Sequence, residues 1–156
     1  MAVVNDPFVD TSVLLAGLIE MGPASRAPQQ VMAAIAAGKV RRPRTAWHCC
    51  LEFYAVSTRL PEELRLSPAD AHQLLEEEVF GRFQVLQLAE RSWKPFLRGA
   101  AIGRVAGGRL YDAHIAEVAR RGGCRLIVTD NTRHFAPLAG QGVRVASSAD
   151  LAAELA

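Results

Sequence analysis

Four separate stretches of this chain put an oxygen-bearing side chain where an apolar element ends, or inside a helix that is otherwise apolar. In PFVDTSVLL (7–15), Asp10 follows Phe8 and Val9 and precedes the hydroxyls of Thr11 and Ser12. In HCCLEFYAV (48–56), Glu52 stands among Cys49, Leu51, Phe53, Tyr54 and Val56. In LYDAHIAEVA (110–119), Asp112 falls in a first helical turn, and in LIVTDN (126–131), Asp130 and Asn131 follow the most continuous apolar run. Carboxylates brought together suit a hard divalent ion such as Mg²⁺ or Mn²⁺, which takes oxygen ligands and keeps several waters. Such an ion lowers the pKa of a bound water and neutralises charge that grows on a phosphoryl group.

Taken singly, each acid has an ordinary explanation. Asp10 suits a helix N-cap, and Asp112 complements the positive end of a helix dipole. Asp130 suits a turn, and Glu52 a half-exposed helix face. Glu52 is the hardest to place on a plain surface, because a buried carboxylate without a partner is costly. The joint placement of the four is what points to a site.

The elements that must position them alternate. Residues 8–9 close a first strand, and helices follow over 12–21 and 26–37, ended by Gly22 and Gly38. A short strand is expected at 39–43 and a helix over 46–60, before Pro61. Ser67, Pro68 and Asp70 read as a capping box opening a helix that runs to about Phe80. Strand 83–88, helix 90–103, loop 103–110 and helix 111–121 come next, the last closed by Gly122 and Gly123. Strand 125–129, a helical turn near 132–138, strand 143–145 and a helix capped at Ser147 or Ser148 complete the chain. This βαβ-type order predicts one α/β domain over 1–156 with a mainly parallel sheet. Ligands of such sheets bind beyond the carboxyl ends of the strands. Asp10 and the Asp130–Asn131 pair fall at those ends, within reach of one ion if their strands are neighbours.

In their order along the chain, FVDTSVLLAGL (8–18), LEFYAVSTRLP (51–61), GGRLYDAHIAEVARRGGC (107–124) and LIVTDNTRHF (126–135) resemble the PIN-domain ribonucleases, in particular VapC-like toxins of type II toxin–antitoxin pairs. The resemblance implies a three-layer α/β/α fold and an endoribonuclease dependent on Mg²⁺ or Mn²⁺. By motif position Asp10, Glu52 and Asp112 are the first three acids, with Asp10 and Asp112 the expected metal ligands. The fourth position is shared between Asp130 and Asn131. Thr11 and Ser12 are the candidates to hold carboxylates or water in place. Arg59, Arg104, Arg109, Arg133 and His134 lie near the motif ends, where they could meet an RNA backbone. A cognate antitoxin and a homodimer are the implied partners, besides RNA.

Composition narrows the alternatives. No apolar run approaches the length of a membrane span. The opening MAVVNDPF lacks both the basic start and the apolar segment of a signal peptide, so a cytoplasmic protein is expected. Cys49, Cys50 and Cys124 form no C-x-x-C, which argues against a disulfide framework or a zinc knuckle. Of 18 cationic residues only Lys39 and Lys94 are lysine, leaving 16 arginines, whose planar forks suit phosphate. GRVAGGRL (103–110) has Arg109 and Leu110 where a P-loop needs lysine and a hydroxyl. A phospho-acceptor receiver domain fits poorly, because no lysine follows Lys94. A PIN-like RNA- or protein-binding module without nuclease activity remains the alternative to the enzyme.

Overall fold

A computed structural model describes residues 3–156; Met1 and Ala2, part of the opening stretch read above, lie outside the described residues. Strands β1 (Val4–Asn5) and β2 (Phe8–Val9) lead into helix α1 (Thr11–Leu18). A 3-10 turn at Pro23–Ser25 opens α2 (Arg26–Ala36), and β3 (Val40–Arg41) and β4 (Arg44–Ala46) run into α3 (Trp47–Ser57). Helix α4 (Pro68–Leu74) continues as a π-helical stretch, Leu75–Phe80, before β5 (Gln84–Leu86). Then come α5 (Trp93–Ile102), α6 (Arg109–Arg121), β6 (Leu126–Val128), α7 (Thr132–Phe135), a 3-10 segment Ala136–Gln141, β7 (Arg144–Ala146) and α8 (Ser148–Leu155).

The main sheet has five strands in the order β5-β4-β2-β6-β7, and every pairing is parallel. Phe8 pairs with Arg44 on one side and with Ile127 on the other, so β2 is central. That position explains its composition: a strand covered on both faces is apolar without alternation, and Phe8, Val9, Ile127 and Val128 are all fully buried. Helices flank the sheet. α1 packs on α2 and α3, α2 on α8, and α5 on α6. Among the described residues no helix is long and apolar enough to cross a membrane.

The strand expected at 39–43 is divided. β3 pairs only with β1, and the strand that enters the main sheet begins at Arg44. The cause is a matched pair of prolines. Pro7 and Pro43 have no N–H for a ladder, and the residues before them, Asp6 and Arg42, turn left-handed at φ 55° and 49°. The Arg42 guanidinium meets the Asp6 carboxylate at 2.8 Å across the break. Both proline carbonyls still accept, from Arg44 N–H at 2.8 Å and Gln84 N–H at 2.9 Å, so register survives the interruption. At the helix starts, Ser67 accepts from Asp70 N–H, and Ser147 with Asp150 forms the full reciprocal capping box.

Two close approaches fix the helices that carry the acids. Arg44 donates to the Gly122 carbonyl just after α6. A Cβ at Gly122 would stand 2.6 Å from Leu86 Cδ1, so the end of α6 sits hard against the sheet. On the other helix, a Cβ at Gly17 would meet Met32 Cγ at 2.5 Å and the Pro28 carbonyl at 3.0 Å where α1 crosses α2. Gly17→Val is therefore expected to force this crossing apart and to cost about 1–3 kcal/mol of stability, as overpacking does; urea unfolding measures it, and an unchanged midpoint would show that the crossing yields freely.

Candidate active site

The acids gather at the carboxyl edge of the sheet. Asp10 is the residue after β2 and the N-cap of α1, yet its side chain makes no capping bond. Its Oδ2 instead accepts from Thr129 Oγ1 at 2.8 Å and from Ser12 Oγ at 3.1 Å. Both hydroxyls are oriented by backbone donors from the turn after β6. Asp130 N–H fills a lone pair of Ser12 Oγ at 3.1 Å, and Asn131 N–H one of Thr129 Oγ1 at 3.0 Å. With their acceptor sides so occupied, the two hydroxyl protons turn toward Asp10. β2 and β6 are neighbours, and Asp10 N–H donates to the Val128 carbonyl at 3.0 Å, which locks these loops in register.

Asp10 is 4% exposed. Burial raises its pKa above the ordinary 3.8, the hydroxyls of Thr129 and Ser12 pull it back, and the charge of Asp112 pushes it up again. Glu52, half-buried on α3, is also raised, first by burial and then by the charges of Asp10 and Asp112, with His48 opposing. The three acids thus share one electrostatic neighbourhood, although they come from three separate elements. His48 Nε2 lies 3.1 Å from Glu52 Oε1, one helical turn earlier on α3. Thr11 Oγ1 donates to the same Oε1 at 3.4 Å. His134 Nδ1, from α7, lies 3.1 Å from Asp112 Oδ2. Tyr111 stacks on His48 with centroids 5.3 Å apart, and His114 packs edge-on to His48 and Phe96.

The fourth expected position resolves into two different environments. Asp130 turns away to α8, where its Oδ1 accepts from Ser148 N–H at 2.9 Å and both oxygens lie 2.8 Å from Ser148 Oγ. Asn131 caps α7 and supports Thr129 through its backbone. Of the expected RNA contacts, Arg109, Arg133 and His134 line a pocket together with Asp112. Arg59, in the turn after α3, and Arg104 are exposed and do not line that pocket. Three contributors carried no signal strong enough to single them out: Thr129, His48 and Tyr111. The i,i+4 spacing of His48 and Glu52 was the available clue for one of them.

The donor set fits a hard cation. It offers carboxylate oxygens and hydroxyls, while thiol chemistry is shut out. All three cysteines are free and buried, and burial pushes the Cys49 thiol up to about 12. Among the described residues no three His, Cys, Asp or Glu side chains already form a metal-ligand group. Two carboxylates completed by waters is the arrangement that Mg²⁺ favours, and Asp10 and Asp112 are the residues that could supply them.

The sequence model of the PIN domain matches residues 7–133. The chain belongs to the PIN-domain family. Ribonuclease VapC27 of Mycobacterium tuberculosis is 35% identical over 123 residues, covering 78% of this chain and 82% of that protein. Ribonuclease VapC40 of the same organism is 28% identical over 121 residues, covering 78% and 84%. Among solved structures, VapBC-1 from nontypeable Haemophilus influenzae superposes with a TM-score of 0.63 at 15% identity, covering 92% of this chain and 98% of that one. PAE2754 from Pyrobaculum aerophilum gives 0.60 at 22% identity, covering 96% and 88%. At those identities the structures speak for the PIN fold, with its parallel sheet between helices.

Two outcomes follow for this PIN domain. Above the ordinary carboxylate value and below the raised one, folded Asp10 keeps a proton that the unfolded chain releases, so stability falls as the pH rises through that window. Asp10→Asn abolishes this loss. It is expected to melt several degrees higher than the parent at neutral pH without divalent ions, and alike at acid pH; a parent-like melt at neutral pH would contradict the burial cost. Asp130→Ala removes the acceptor held by Ser148 and is expected to cost about 1 kcal/mol, like loss of a helix cap, as read by urea unfolding.

Proposed function

We propose that this PIN domain is a divalent-metal-dependent endoribonuclease, the toxin of a toxin–antitoxin pair, acting in the cytoplasm. The observation that carries this reading is the convergence of Asp10, Glu52 and Asp112 at one edge of the sheet, where the charge of Asp112 bears on Asp10 and the charges of Asp10 and Asp112 bear on Glu52. The likeness to VapC ribonucleases supports the choice of RNA as substrate and of an antitoxin as partner.

Asp10 and Asp112 would hold the ion. When bound, a Mg²⁺ or Mn²⁺ ion makes water more acidic and balances negative charge on phosphate oxygens. Asp10 enters this role prealigned, since Ser12 and Thr129 both fix its Oδ2. Glu52 is the group to accept the proton of the attacking water. Its raised pKa brings it nearer to the working pH of a general base, and His48 at 3.1 Å from Oε1 orients it. The water oxygen attacks phosphorus in line as the bond to the 3′ oxygen breaks, and that oxygen takes up a proton from solvent to leave as a hydroxyl. The products implied by the family likeness carry a 5′-phosphate and a 3′-hydroxyl. An antitoxin would act by covering this acidic edge, and a homodimer is the expected form of the free toxin.

Mapping of cleavage sites on total RNA, with Mg²⁺ or Mn²⁺ and with EDTA, tests the reading. Cleavage is expected only with the ion, to disappear in Asp112→Asn, and to slow about 10²–10⁴-fold in Glu52→Gln. RNA binding without cleavage under any of these conditions would favour the binding module over the enzyme. Mg²⁺ or Mn²⁺ is also expected to raise the melting temperature of the parent, and Asp10→Asn to blunt that rise; an undiminished rise would remove Asp10 from the ligand set.

A further inference from the structure

Asp112 also borders a concavity that neither Asp10 nor Glu52 lines. It lies between α6, α7 and the 3-10 segment after α7, with a volume of about 370 Å³. Small-molecule sites occupy roughly 300–1,000 Å³, so it has room for a ligand the size of a nucleotide. The α6 residues that border it, Arg109, Asp112, Ala113, Ala116, Glu117 and Arg120, repeat at i, i+3, i+4, i+7, i+8 and i+11 and so share one helix face. Alanine in the middle of that face leaves the space open. Opposite stands the buried Leu138, and half-buried Val105 completes an apolar floor.

The rim has a different chemistry. Arg109 and Arg133 are exposed, and among the described residues neither pairs with a carboxylate. Glu117, the acid deeper along α6, is already engaged by Arg120 at 2.7 Å and Arg121 at 2.8 Å. Gln141 adds an amide able to donate and to accept at a base edge. His134 contributes to the wall while its Nδ1 meets Asp112, so the pocket and the acids share two side chains. Apolar floor, imidazole wall, amide and cationic rim match the face, edge and phosphate of one unstacked nucleotide, the form in which single-stranded RNA is read.

We propose that this pocket receives the nucleotide adjoining the cleaved bond and sets the base preference at that position. The proposal rests on the ribonuclease reading for its place in the reaction. Binding itself does not require cleavage. The full chain is titrated with each of the four nucleoside 5′-monophosphates and with ribose 5-phosphate, with and without Mg²⁺, following the methyl signals of Ala113, Ala116 and Leu138. At least one nucleotide is expected to shift all three signals, and ribose 5-phosphate none. Arg133→Glu, at an exposed site, is expected to weaken that nucleotide about tenfold, a loss near 1.4 kcal/mol. Ala116→Leu, which fills the floor, is expected to do the same with its melting transition retained. No shift with any nucleotide, or equal affinity for ribose 5-phosphate, would overturn the proposal. A chain that binds a nucleotide here and cuts no RNA overturns the ribonuclease reading and leaves the pocket standing. A chain that cuts RNA with the same base preference in Arg133→Glu and Ala116→Leu overturns the pocket and leaves the ribonuclease.

Discussion

A carboxylate held almost out of water is the constraint around which this molecule is arranged. Asp10 sits at the end of the central strand, where burial disfavours its charge and two hydroxyls favour it. A buried charge without partners is not tolerated, so its surroundings must be built to suit it. Ser12 comes from the same turn, but Thr129 comes from the neighbouring strand, and both are aligned by the backbone of residues 130 and 131. Register between β2 and β6 is consequently an electrostatic matter as well as one of packing. A slip of one residue would turn Thr129 to the other face of the sheet and leave Asp10 with one donor fewer.

The remaining acids are held more loosely. Glu52 and Asp112 project from helices, are partly exposed, and each touches an imidazole, His48 and His134 respectively. Their helices are fixed at a distance from the acids. α6 is pinned beyond its far end by Arg44 and Leu86 at Gly122, and α3 follows directly from β4, which is hydrogen-bonded beside β2. The site thus combines one acid that is almost fully buried with two that are partly exposed. Such a set suits a cation that demands near-octahedral geometry and brings waters of its own.

Much of this was readable from the chain alone. Strand ends deliver polar groups to one edge of a parallel sheet, so Asp10 and the Asp130–Asn131 pair could be placed together, and the structure makes their strands neighbours. The apolar surroundings of Glu52 marked it as unusual, and it is half-buried beside the others. What escaped depends on contacts between distant residues. Thr129 differs from any strand-end threonine only because Asp10 lies across from it. Asp130 could not be separated from Asn131, because its partner Ser148 belongs to a helix that follows another strand. The division of β3 from β4 turned on Pro43, whose missing N–H shifts the central pairing to Arg44.

The sheet order carries a consequence for the way the protein comes into being. β2 is made well before β6, which must lie against it and is separated from it by more than a hundred residues; the Thr129–Asp10 hydrogen bond alone spans 119 positions. Contacts of such long range form late, after the entropy of closing the loop has been met. A nascent chain halted before β6 would already contain Asp10, Glu52 and Asp112 and still lack the strand that holds Asp10 in place. Completion of the acidic edge therefore waits on β6, and the order of the strands in the sheet sets when the site can first assemble.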